Sequence, residues 1–171
     1  MSLLARLLRT DRAPPSGDTL YRAIVIAARR PDWYLAGAVP DTVDGRFDVV
    51  ALVLALVLIR LEAEGDGARQ FSADVTERFI ADMDGSLREL GIGDPTVGKQ
   101  VGHMVSALGG RLGAYRDALA GREELNAALE RNLYRGAVVE PAAVDWAARE
   151  VRALAARIDA APGPDLRDGR W

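Results

Sequence analysis

The chain has 171 residues, of which 49% are hydrophobic, 27% charged and 6% aromatic, with a net charge of −3 and a sequence pI near 5.3. A single domain of this length buries roughly 70% of its unfolded surface and needs no covalent staples. The absence of cysteine excludes a disulfide framework, a thiolate zinc site and a cysteine nucleophile, the lone His103 excludes a multi-histidine metal centre, and the mild acidity argues against a dedicated nucleic-acid binder.

Alanine occurs 29 times and arginine 21 times against a single lysine, Lys99. Both abundant residues favour helix, and strand-forming material other than valine is sparse. The predicted fold is therefore all-α, a compact multi-helix domain around a central apolar helix. Leucines at positions 3, 4, 7 and 8 with Arg6 and Arg9 make residues 1–12 a short amphipathic helix with a basic edge. Arg6 interrupts the apolar run, so a secretory signal core does not form, and docking on the domain is preferred to a lipid anchor.

Pro14-Pro15-Ser16-Gly17 breaks the chain, and Ser16 or Asp18 then caps a helix running to about Arg30 on the stripe Leu20, Tyr21, Ile24, Val25, Ala27 and Ala28. Asp32 to Leu35 adds one turn, and Ala38 to Gly45 reads as a loop punctuated by Pro40 and the Asp44-Gly45 pair. Arg46 to Glu64 is the most apolar segment, uninterrupted from Val49 to Ile59. A membrane span needs about 20 such residues, so this run predicts a helix buried centrally among its neighbours.

Ala68 to Leu90 is helical, with a break or fraying expected near Gly85. Asp94-Pro95 opens a further helix to about Ala120, whose glycines at 98, 102, 109, 110 and 113 each cost roughly 1 kcal/mol relative to alanine. Close approach of the apolar helix to that smooth side is the expected compensation. Arg122 to Tyr134 forms another helix closed by Gly136, and Glu140-Pro141 starts the last, which ends near Ala161. These elements make residues 13–161 one domain and residues 162–171 a tail.

Gly93 to Lys99 satisfies the glycine-x4-glycine-lysine spacing of a phosphate-binding loop. A helical segment precedes it where a strand belongs, Gln100 replaces the magnesium-binding hydroxyl residue, and Pro95 removes a backbone donor, so nucleotide binding is rejected. Asp82 and Asp84 stand two apart on a helix and point roughly 200° from one another, which prevents them from converging on a metal or substrate. Asp84 and Arg88, four apart, are placed to pair. His103 reads as a packing or surface residue, and no enzyme constellation or cofactor site emerges.

Several collinear motifs carry a resemblance. Leu20 to Val25, Ala28 to Pro31, Trp33-Tyr34, Val39 to Thr42 and Gly45 to Asp48 are followed by Phe79 to Asp84, Leu87 to Glu89, Gly91 to Asp94, Val97 to Lys99, Gly110-Arg111 and Ala114-Tyr115. Together, over Leu20 to about Leu119, they resemble the ubiquinol-cytochrome c chaperone family. Two positions depart from the family pattern: no histidine stands among Ala51 to Leu56, and Gly109 replaces an aromatic before the glycine-arginine pair.

The resemblance implies a non-enzymatic assembly factor of the shorter bacterial form. It would hold newly made cytochrome b, the membrane-embedded haem subunit of the cytochrome bc1 complex, in the cytoplasm or peripherally at the inner membrane face. A small partner subunit is implied by the mitochondrial branch. The motif residues Asp41, Arg46, Asp48, Asp82, Asp84, Arg88, Asp94, Lys99 and Arg111 either tie helices together or meet client and partner. A groove lined by Met83, Met104 and Leu108 is the expected client surface. The competing readings are a small haem or cofactor binder using His103 or a methionine, and a peripheral membrane scaffold anchored by residues 1–9.

Overall fold

A computed structural model describes residues 17–89 and 94–171, with side chains described over 17–86 and 102–171. The predicted N-terminal helix over 1–12 lies outside the described residues. All regular elements among the described residues are helical. They are α1 Gly17–Ala28, the single turn α2 Asp32–Leu35, α3 Val43–Glu62, a 3-10 turn Gly65–Ala68, α4 Arg69–Glu89, α5 Asp94–Leu119, α6 Leu125–Asn132, α7 Pro141–Ala160 and the short α8 Gly163–Arg167.

The apolar run forms the axis of the molecule. Every residue of α3 from Phe47 to Leu58 is buried, because α1, α4, α5 and α7 pack around it. Burying one such side chain stabilises the fold by roughly 1.5–3 kcal/mol, so this helix supplies much of the driving force for folding. Its neighbours present one apolar stripe each: Leu20, Ile24 and Ala28 on α1, and Val144, Ala147, Val151, Leu154 and Ile158 on α7 are all buried.

α3 starts earlier than its composition suggests. Val43, Asp44 and Gly45, expected in a loop, form its first turn because the Thr42 side chain accepts a hydrogen bond from the Gly45 amide at 3.1 Å. Gly45 has a steric purpose there: a Cβ at this position would lie 1.9 Å from the Pro40 carbonyl oxygen, so the incoming loop crosses directly over the helix start.

Other expectations need correction. α4 runs through Gly85 without a break. α5 does pack on α3, but not through its described glycines: a Cβ added at Gly102, Gly109, Gly110 or Gly113 would meet nothing within 4 Å. These positions lie opposite the packed face that carries Met104, Leu108, Arg111 and Tyr115. α6 begins at Leu125 rather than Arg122, since Gly121 takes a left-handed backbone (φ 72°) and Arg122 turns back to hold Asp117 at 2.6 Å.

The segment expected as a tail is packed. Leu166 of α8 is fully buried, α8 lies against α1, and Trp171 rests half-buried on the core. Arg167 supplies the polar half of this anchor by pairing with Glu64 and lying 5.5 Å over the Phe71 ring. The proline and glycine residues that read as a terminus instead make the corner between α7 and α8.

Candidate functional site

α1, α3, α4 and α5 leave a cleft of about 910 Å³ at one end of the bundle, closed on one side by α2 and the loop that follows it. Val25, Phe47, Val50, Met83 and Met104 line its apolar part, and Leu35 and Val43 stand at its edge. The helical register produces this division: on α3, Phe47 and Val50 are one turn apart and face the cleft, while Asp48 between them faces inward. On α4, Asp82 and Met83 line the cleft and Asp84 does not.

Polar groups sit at the rim. Arg46 donates to the Asp41 carboxylate at 2.7 Å with both side chains exposed, and this hydrogen bond holds Asp41 below the ordinary carboxylate value. The buried Tyr21 hydroxyl donates to Asp82 at 2.7 Å. Burial first, and then that bond to a carboxylate, push the Tyr21 phenol well above its ordinary value. Tyr21 thus serves as a neutral donor that fixes the Asp82 carboxylate at the cleft.

Beneath the cleft floor lies an ionic cluster centred on the buried Asp48 and Arg111 and reaching the surface at Arg135 and Asp44. Arg111 donates to Asp48 at 2.6 Å, to the Asn132 carbonyl at 3.2 Å and to the Ala107 carbonyl at 3.3 Å. Arg135 donates through Nε to the other Asp48 oxygen at 2.6 Å and through Nη1 to Asp44 at 2.8 Å. The Arg111 guanidinium also lies 5.4 Å over the Phe47 ring, which packs on Phe79. Burial raises the Asp48 carboxyl above its ordinary value, and the two guanidiniums pull in the opposite direction. The cluster joins α3, α5 and the end of α6, and it supports the aromatic side chain that forms the cleft floor.

The residues singled out from sequence therefore separate. Asp41, Arg46, Asp82, Met83 and Met104 come together at the cleft. Asp48 and Arg111 meet one another in the interior. Leu108 is buried in the core and does not line the cleft, a correction to its expected place in the groove, because it lies one helical turn below Met104 on the packed side of α5. Asp84 is half-buried beside the site, and the side chains of Arg88, Asp94 and Lys99 lie outside those described.

His103 is exposed and does not line the cleft. Among the described residues, no group of three His, Asp or Glu side chains is placed to hold a metal ion. Arg135 was not singled out. It is 87 residues from Asp48 and adopts a left-handed backbone (φ 56°) just past α6. The only hint in the sequence is that Asp44 and Asp48, one turn apart, would repel without a shared cation.

Comparison with known proteins places this geometry in context. The profile described as ubiquinol-cytochrome C chaperone matches residues 36–171. The match begins just before the cleft loop and runs through α8, beyond the Leu119 limit of the recognised motifs. A crystal structure titled as that of the Cbp3 homolog from Brucella abortus is 30% identical, with a TM-score of 0.79 over 98% of this chain and 94% of the other. No curated protein matches.

Proposed function

The chain belongs to the ubiquinol-cytochrome C chaperone family, and from that premise we propose that it holds newly made cytochrome b at the apolar cleft during assembly of the cytochrome bc1 complex. The observation that carries the placement is the cleft itself, apolar inside and charged at the rim. An amphipathic or apolar helix is recognised by laying its side chains in such a groove. Met83 and Met104 suit the task because the unbranched thioether adapts to varied neighbours. Phe47 provides a fixed floor, held from below by Arg111.

The work asked of the protein is binding and release, for which the family supplies the chaperone reading. The charged rim limits how far an apolar client can slide and keeps the empty cleft soluble. A small partner subunit, implied by the mitochondrial branch, would be recovered in the same complexes as the client.

The test is capture of cytochrome b by the purified chain after mild crosslinking in detergent. The full chain is expected to recover the client, and Met104→Glu with Leu35→Glu to lose it while the melting temperature stays within a few degrees. Undiminished capture by that variant would sink the cleft as the client site. In cells, deletion should lower assembled cytochrome bc1 and leave the cytochrome b transcript unchanged.

A further inference from the structure

Exposed apolar side chains are concentrated at one lip of the cleft. Three of the five exposed large hydrophobics among the described residues are Ile26 (66%), Leu35 (81%) and Val43 (51%), the last two at the cleft edge, while Val105 and Val138 stand apart on α5 and past α6. Exposed Pro31 and Pro40 stand in the same segment. On α1, Arg22, Ile26 and Arg29 follow at spacings of four and three, so they share the helix face adjoining Val25 and the cleft.

The charge at this lip departs from that of the whole protein. Residues 22–46 contain four arginines and three aspartates in a chain of net charge −3. Those aspartates are already held: Asp32 by Arg30, Asp41 by Arg46 and Asp44 by Arg135. Arg22 and Arg29 are exposed, and neither has a carboxylate partner among the described residues. Two further acids border this edge and both are engaged: Asp82 by the Tyr21 hydroxyl, and Asp18, one turn before Arg22 on α1, by Arg78 at 2.6 Å. Uncompensated guanidiniums beside protruding aliphatic side chains are the combination that binds an anionic bilayer surface, where cations meet lipid phosphates and the apolar groups enter the acyl boundary.

We infer that the lip formed by Ile26, Leu35 and Val43, with Arg22 and Arg29, docks on an anionic membrane and turns the mouth of the cleft toward the lipid. This goes beyond the client reading and does not depend on it. No helix among the described residues is long and apolar enough to cross a membrane, so the contact is a surface one. It differs from an anchor formed by residues 1–9, because the docking groups belong to the folded domain and set its orientation.

Flotation of the full chain with vesicles of phosphatidylglycerol and phosphatidylethanolamine tests this, with phosphatidylcholine vesicles as the neutral control. Binding to the anionic vesicles that weakens with salt is expected. Arg22→Glu combined with Ile26→Glu should lower the bound fraction at least tenfold. Both residues are exposed and outside the cleft lining, so melting and cytochrome b capture in detergent should be unchanged. Leu4→Glu with Leu7→Glu should still float.

Equal flotation of the lip variant and the original chain overturns the proposal, as does failure of the original chain to bind anionic vesicles. So does loss of flotation in the Leu4 and Leu7 variant alone, or a concentration-dependent dimer that the lip substitutions dissolve without any vesicle binding. Failure of the original chain to capture cytochrome b, with its own flotation on anionic vesicles intact and lost in the lip variant, counts against the client reading and leaves the membrane surface supported.

Discussion

Two aspartate-arginine pairs begin within seven residues of each other and have opposite environments. Asp41 and Arg46 meet at 2.7 Å with side chains 61% and 63% exposed, whereas Asp48 and Arg111 meet at 2.6 Å with 1% and 9% exposed. The contact chemistry is the same and the consequences are not. A solvated pair is screened by water and can exchange its partner for a client group, while each member of a buried pair depends on the other to offset lost hydration. Residues of one motif thus divide between a surface that can bind and an interior that holds the surface in place.

The largest test of that division is Asp48→Ala. Removing the carboxylate leaves Arg111 buried without its partner and leaves Arg135 with Asp44 alone on α3, so a loss of roughly 3–5 kcal/mol is expected in urea denaturation. A loss under 1 kcal/mol would show that the interior pair is no more structural than the exposed one. Gly45→Ala lies between the pairs and should cost about 1–3 kcal/mol, because its methyl group would overlap the Pro40 carbonyl and displace the Asp41 loop. A crystal structure of that variant should show the loop moved and the Asp48 cluster intact.

Asp41→Asn should leave the urea denaturation midpoint essentially unchanged, because solvent screens the exposed pair. If the rim serves the client, the same variant weakens cytochrome b capture, and capture equal to that of the original chain would remove Asp41 from the binding surface. The smallest effect to measure is the order of two carboxyl titrations by NMR. The ordinary value is 3.8; Asp48 should titrate above it because of burial, and Asp41 below it because of the Arg46 hydrogen bond.

The two signs have opposite consequences for folding. The Asp41 pair contributes stability above the unfolded value of 3.8, and this is lost as pH falls through its lowered folded value. Asp48 binds its proton more readily when folded, so its contribution is full below 3.8 and is lost as pH rises through its raised folded value. Reversal of the titration order would contradict the assignment of one pair to the interior and the other to the surface.

Much of the helical layout was legible because it is a local matter. The uninterrupted apolar run predicted the central helix, and Pro141 marked the start of α7. The errors arose where local signals met distant partners. Asp44-Gly45 resembles a turn, yet Thr42 caps a helix there and the Pro40 carbonyl requires glycine. The glycines of α5 suggested a packed side, whereas at Gly102, Gly109, Gly110 and Gly113 they face open space. Residues 162–171 read as a tail because nothing nearby in sequence shows that Glu64 and Phe71 await Arg167.

Of the cleft lining, part was legible from residue type alone. Met83 and Met104 were marked by residue type and do line the cleft, while Leu108, chosen for the same reason, is buried one turn away. Asp82 and Asp84 diverge as helical geometry requires. Arg135 went unnoticed because no periodicity connects it to Asp48.

By itself, the sequence determined the helical class, the central position of the apolar segment, the lack of cysteine and multi-histidine chemistry, and the resemblance that the family match upholds. These follow from composition, from the 3.6-residue period and from the order of motifs along the chain. Only the tertiary structure decided which aspartate is buried and which is exposed, where the cleft lies, and that its lip gathers exposed aliphatic groups beside arginines with no carboxylate partner among the described residues. Exposure and charge pairing depend on residues brought together from distant parts of the chain, as Asp48 is by Arg111 and Arg135, and local spacing does not encode those meetings.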